Sequence, residues 1–389
     1  MLAGMPWYHF LAWQRASAVA LLIFGASAGR ASVIKDWLAP VWLWWICLGL
    51  GLASSVRPLE SLQLLLWSVV LPLGVAATLA QMPAMVRLLL PVYLLALLGL
   101  VGMQVLMLIE GVDMQVGAPA GWRYYPGPGL SSSFLVLAFP VAWAVFFRSQ
   151  GALRLLAALS LLALPAGVYM TLNRMAWLVL AVAFVVLLTL SVAQTSWRRR
   201  GQLLLLGLLI ISLCGGLAWK ATRERMGPTS MEQVYTQDAR HGVWRYWWSQ
   251  VPSSPWWGHG YGIRVQQAYY RDQGGIKSLP ASLRPYAGAI VAHGHNAILD
   301  ALVQTGILGT LGWLLVLAGY AVRFWRQRSR ADAPIVAAAL ALILSLLLKN
   351  MTDDFVEFGL SLQFWSLLGL LQAFSSDCKK AASSSASTG

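Results

Sequence analysis

Apolar runs, each near the roughly 20 residues that cross a bilayer as a helix, follow one another along most of this 389-residue chain. They fall near residues 11–28, 38–54, 62–80, 88–109, 134–147, 155–172, 175–193, 203–219, 297–322, 335–348 and 360–374. By length that predicts about eleven membrane helices, with a twelfth in the Trp-rich N-terminus or in a long segment that splits. Lipid offers no partner to a free backbone N–H or C=O, so a spanning segment is a helix or part of a closed barrel. Barrel strands alternate apolar and polar residues, whereas these runs are continuously apolar. The expected fold is therefore an all-α polytopic membrane protein. Charged residues make up only 11% of the chain, against about 25% in soluble domains.

One stretch breaks the pattern. Residues 220–296 form a polar island with nine Lys/Arg against four Asp/Glu, rich in Trp and Tyr. The expected organisation is a helix bundle at 1–219, one large loop at 220–296, further membrane helices at 297–376 and a disordered, Ala/Ser-rich tail at 377–389. Nothing at the N-terminus reads as a cleaved signal peptide. Three cysteines suggest neither a disulfide framework nor a metal-ligand pattern, and Cys47 and Cys214 read as small hydrophobes in helices.

Positive charge sets the orientation. Arg148 and Arg154, Arg198 to Arg200, Arg323 to Arg330, and Lys379 with Lys380 fall in every second connection, which reads as cytoplasmic. The island then lies on the external face, together with the connection at 111–133, the tight turn at Asn173-Arg174, and the acidic stretch holding Asp353, Asp354 and Glu357. Long loops cross regardless of charge. A basic external surface that topology does not require points to an anionic partner.

Several residues stand out against this frame. Arg174 lies between two apolar segments with almost no loop. It reads either as an arginine snorkelling to the headgroups or as one facing the bundle interior to grip a phosphate. In the segment from Asp238 to Trp248, Arg240, Trp244 and Trp247/Trp248 recur at spacings of three and four. That places them on one face of a short amphipathic helix, either interfacial or functional. Gly258, Gly260 and Gly262 allow close backbone approach to a ligand, although such a run is weak evidence alone. His259 reads as structural. Arg123, in a Pro/Gly-rich loop, is a further candidate anion contact. His295, just before the helix at 297–322, suits proton abstraction near neutral pH. Its bland alternative is a helix-entry residue beside the cap Asn296, and His293 competes with it. No phosphate-binding Gly-rich loop, no His-Glu-x-x-His and no cytosolic nucleotide domain is recognisable. An activated donor would have to arrive within the membrane.

Taken in order, Thr171-x-Asn173-Arg174-x-Ala176, Arg240-x3-Trp244, Gly258-x-Gly260-x-Gly262 and His295-Asn296-x-x-Leu299 followed by Gly306-x-x-Gly309 resemble a known pattern. The chain resembles the O-antigen ligase/polymerase superfamily of bacterial inner-membrane glycosyltransferases, a GT-C-like fold with a large periplasmic loop. The His-Asn element with its Gly-x-x-Gly is the most telling part, and Asn173 stands where Ser is commoner.

Within the family the resemblance favours the ligase that joins O-antigen to lipid A–core. It implies a polysaccharide donor on undecaprenyl pyrophosphate, a lipopolysaccharide-core acceptor, surrounding membrane lipids, and no nucleic acid, cofactor or metal. Arg174 and Arg240, with Arg123, would neutralise the pyrophosphate. His295 would act as general base in an inverting displacement. Trp244, Arg245, Trp248 and Tyr261 would contact the acceptor. The location implied is the inner membrane, with the site on the periplasmic side. An O-antigen polymerase and a protein O-oligosaccharyltransferase share the donor and the motifs, so both remain open. A lipid-linked sugar transporter predicts internal repeats and broken helices, and no repeat is evident.

Overall fold

The structure, a computed structural model, describes residues 41–112, 125–192, 201, 216, 239–292, 294–328, 332–352 and 358–386. Every expected apolar segment within these residues is helical. They form α1 (Trp42–Ala53), α2 (Pro58–Leu79), α3 (Pro83–Ile109), α4 (Pro128–Arg148), α5 (Gly151–Met170) and α6 (Arg174–Val192). After the polar island come α10 (Ala297–Arg326), α11 (Ala333–Lys349) and α12 (Phe358–Ala386). Among the described residues, six helices are long and apolar enough to cross a membrane, namely α2 to α6 and α10, while α1 and α11 are shorter apolar helices. The expected segments at 11–28 and 203–219 lie outside the described residues. The tail expected to be disordered is helical through Ala386, since Ala and Lys extend a helix that is already nucleated.

Local sequence explains where helices begin. Pro58, Pro83 and Pro128 each open a helix, where a missing N–H leaves nothing unsatisfied. Inside α2, Pro72 cannot donate to the carbonyl four residues back. The helix loosens there into a π turn over Leu66–Val70, and Ser361 Oγ donates to the Ser68 carbonyl instead.

The centre of the bundle is α4, buried almost without interruption from Ser131 to Val145. It packs against α5, α6, α11 and α12. On α11, Ala337, Ala338, Ala339 and Ala341 are fully buried, and such small side chains let helices approach closely where lipid supplies little hydrophobic drive. The outward faces are leucine: Leu88, Leu95, Leu106 and Leu162 are all exposed. Apolar surface of that extent belongs in lipid.

The described part of the island folds as α7 (Ala239–Gln250), α8 (Ile263–Asp272), α9 (Ala287–Ala292) and short 3-10 turns. Its core joins Val243, Tyr246, Trp247, Tyr270 and Ile290 to Leu299 and Val303 of α10. The island is thus docked on the first two turns of a membrane helix.

Candidate functional site

The site is built where the Gly-rich loop meets α10. At Gly306 the helix is broken, with φ 65° and ψ −172°, a conformation essentially confined to glycine. A regular helix would pair Ile307 N–H with the Val303 carbonyl and Leu308 N–H with that of Gln304. Here His259 and Gly260 N–H donate to the Val303 and Gln304 carbonyls at 2.9 and 3.0 Å. Ile307 and Leu308 N–H donate to the Pro255 and Trp256 carbonyls at 2.8 and 3.4 Å. The loop backbone therefore completes the broken helix, as irregular backbone at membrane depth requires.

Gly258 and Gly306 are the residues that allow this contact. A Cβ on Gly258 would collide with the Gln304–Thr305 backbone, and one on Gly306 with that of Trp256–Trp257. The Gly-rich run was expected to approach a ligand. It approaches protein instead: α10 at Gly258, Ser55 and Ser61 at Gly260, and Leu64 at Gly262.

His259 is packed, as expected of a structural residue. Its ring stacks on Tyr269 with centroids 3.9 Å apart, and Ser253 Oγ lies 3.1 Å from Nε2. Burial holds its pKa below the ordinary 6.5, against an opposing hydrogen bond with the Gln250 carbonyl.

His295 is half-buried and adopts φ 51°. Among the described residues, only Leu172 and His295 are non-glycine residues with positive φ, a conformation that costs about 1–2 kcal/mol. Each lies within two residues of an expected site element. Asn296 caps α10, its Oδ1 accepting from Ile298 and Leu299 N–H at 3.0 Å each. Its Nδ2 donates to the Met351 carbonyl, and Ala297 N–H donates to that of Asn350. His293, its competitor, lies outside the described residues.

Arg174 opens α6 and is exposed. Asn173 Oδ1 accepts from Ala176 N–H at 3.1 Å, so Asn replaces the commoner Ser in a position where both cap well. Arg174 and His295 lie at the same end of the bundle. Trp143, near the end of α4, bonds Ser191 at the end of α6, so these two helices start together. Gln363, near the start of α12, bonds the Phe134 carbonyl near the start of α4. The segment that precedes α12 includes Asn350 and Met351, which hold the residues beside His295.

On α7, Arg240 and Trp244 are half-buried, while Arg245 and Trp248 are exposed. The expected single face holding Arg240, Trp244 and Trp247/Trp248 needs correction. Trp247 is fully buried, with Nε1 donating to the Ile290 carbonyl, because the packed face is Val243–Tyr246–Trp247. Arg123, Asp353, Asp354 and Glu357 lie outside the described residues.

A partly open cleft is lined by residues of α1, α2, α10 and α12 and by Tyr261 of the island. Tyr261, Asp300 and Gln304 give it polar walls, and Trp44, Trp313 and Trp365 give it apolar ones. Of the residues expected from sequence, Tyr261 alone lines it. Asp300, Gln304 and the neighbouring Gln266 were not anticipated. The signal lay in Asn296, Asp300 and Gln304, polar residues every four positions on one face of an apolar helix.

These features define a class: a multi-pass, all-α membrane protein with a polar domain locked by its backbone into a broken membrane helix. The model of the O-antigen ligase family matches residues 155–314. That stretch contains Arg174, Arg240, the Gly-rich loop and His295, and it belongs to the O-antigen ligase superfamily. No curated protein matches the chain.

Proposed function

We propose that this protein transfers O-antigen polysaccharide from undecaprenyl pyrophosphate to the lipid A–core oligosaccharide of lipopolysaccharide, at the periplasmic face of the bacterial inner membrane. The observation that carries the reading is the cleft, whose walls combine the Tyr261 phenol and polar side chains with the tryptophans Trp44, Trp313 and Trp365. A donor with an isoprenoid tail and a sugar head needs both surfaces in one site.

In this reading His295 takes the proton of a core-sugar hydroxyl as its oxygen attacks the anomeric carbon. The anomeric C–O bond to the pyrophosphate breaks, and configuration inverts. Arg174 and Arg240, with Arg123, neutralise the charge that builds on the departing undecaprenyl pyrophosphate. Fixed cations serve where other glycosyltransferases use a metal. Trp244, Arg245, Trp248 and Tyr261 receive the acceptor, rings against sugar faces and cation against its phosphates.

The test is to incubate purified protein with undecaprenyl-pyrophosphate-linked glycan and rough lipopolysaccharide, with EDTA and without nucleotide. Ligated lipopolysaccharide is the expected product. Elongation of the lipid-linked glycan alone would establish a polymerase, and glycan on an added pilin-like protein an oligosaccharyltransferase. Strict dependence on Mg²⁺ or Mn²⁺ would remove the arginine-only mechanism.

A further inference from the structure

An unbroken chain of buried hydrogen bonds links the Gly-rich loop to the residue before His295. Gly262 N–H donates to Gln304 Oε1 at 2.9 Å, and Gln304 Nε2 donates to Gln266 Oε1 at 3.0 Å. Gln266 Nε2 donates to Asp300 Oδ1 at 2.7 Å, which also accepts from Gly294 N–H at 2.8 Å. Asp300 is 1% exposed and Gln266 2%. A buried carboxylate is costly unless it is hydrogen-bonded, and Asp300 Oδ1 accepts both the Gln266 and the Gly294 bond.

Those bonds fix one end of a strained turn. His295 is the single residue between Gly294, held by Asp300, and Asn296, held by its cap and by Met351. A left-handed residue without glycine's freedom persists only when its surroundings over-determine it. Asp300 supplies the upstream half of that constraint. The fit is close: a Cβ on Gly294 would come within 2.5 Å of Asp300 Oδ1.

We propose that Asp300, oriented by Gln266 and Gln304, is a positioning residue that holds His295 in its working geometry. This rests on the reading of His295 as the base. The carboxylate acts through Oδ1 as an acceptor, so the role is geometric and asparagine can perform it.

The experiment compares Asp300→Ala, Asp300→Asn and Gln266→Ala in the full chain in nanodiscs. It reads kcat and donor KM for ligation, and hydrogen exchange at the Gly294 amide. Loss of about an ångström of positioning costs roughly a hundredfold. Asp300→Ala should lower kcat by about that factor with donor KM within about twofold, and Gly294 should exchange faster. Asp300→Asn keeps an acceptor oxygen and should stay within about tenfold of wild type, with Gly294 still protected.

Should Asp300→Ala fail to fold, Gln266→Ala removes one bond and should show the same kcat-selective loss. Wild-type kcat in Asp300→Ala overturns the proposal, as does an Asp300→Asn protein as slow as the alanine variant. So does a loss that appears in KM with kcat unchanged. If the wild-type protein transfers no glycan, the functional reading fails, and Gly294 exchange alone then decides whether Asp300 holds the turn.

Discussion

Replacing Gly306 with alanine sets two ways of satisfying the α10 backbone against each other. In the native arrangement four hydrogen bonds join loop and helix across the break. If the loop leaves, α10 can close into a regular helix and regain the two bonds from Ile307 and Leu308 to Val303 and Gln304. Release thus loses a net two bonds, about 1–3 kcal/mol at 0.5–1.5 each. Alanine reverses the preference. Keeping it at φ 65°, ψ −172° costs about 1–3 kcal/mol, before any collision with the Trp256–Trp257 backbone. In the closed helix, alanine gains about 1 kcal/mol over glycine. The swing of about 2–4 kcal/mol changes the ratio of docked to released loop by roughly 30- to 1,000-fold, at 1.36 kcal/mol per tenfold. Gly306→Ala should therefore leave the bundle folded yet expose the His259 and Gly260 amides to rapid hydrogen exchange. At the midpoints a docked preference of about 2 kcal/mol becomes a released preference of about 1 kcal/mol, so ligation should fall roughly sixfold, and further by whatever the collision adds. Wild-type amide protection together with a wild-type rate would refute the reasoning.

Arg174→Ala and Arg240→Ala should each cripple ligation in a protein that still folds in detergent, and Lys should rescue only in part because an ammonium lacks the guanidinium fork. Wild-type turnover of Arg174→Ala would return that residue to the snorkelling role. His295→Ala should abolish ligation while donor binding survives, and His293→Ala should retain substantial activity; the reverse outcome would move the base to His293. Burial depresses the pKa of His259, so its ring takes up a proton less readily in the folded protein than in the unfolded chain. Below about pH 6.5 the unfolded chain takes up a proton that the folded chain declines, and stability falls with pH until the depressed value is reached. Thermal midpoints taken between pH 7.5 and 5.5 should drop less for His259→Gln than for wild type, and equal drops would exclude this source.

What the sequence made legible was local. The membrane helices follow from run length and from the prolines that open them. The cap at Asn296 could be read directly, because capping depends on neighbours two and three residues away. The break at Gly306 could not, since the composition of 297–322 is apolar on both sides of it and the cause lies in a loop some fifty residues earlier. The same distance hid the role of Trp247, whose face is decided by Ile290, Leu299 and Val303. It also hid Asp300, whose partner Gln266 lies 34 residues away. The arginines and His295 stood out because their chemistry is unusual beside a membrane. The groups that hold His295 in place are an amide, a carboxylate and a backbone N–H, and without their long-range pairing they look like ordinary polar residues.

Strain and support occur together at one end of the bundle. Leu172 and His295 each adopt a conformation that glycine would take without strain. Each is followed at once by an asparagine that caps the next helix, Asn173 for α6 and Asn296 for α10. A strained residue followed by a cap makes a turn with little freedom, because relaxing the strain would undo the helix start. On the proposed reading, one such turn carries the phosphate-binding Arg174 and the other carries the base. The donor's pyrophosphate and the acceptor's hydroxyl would then be gripped from rigid helix entries rather than from loop tips. The polar island contributes Arg240 and Tyr261 from a domain that is itself fixed to α10 through backbone bonds. Transfer between a lipid-borne donor and a bulky acceptor loses most of its rate if either grip drifts by about an ångström. Backbone interlock and strained turns are the features of this fold that would supply that rigidity.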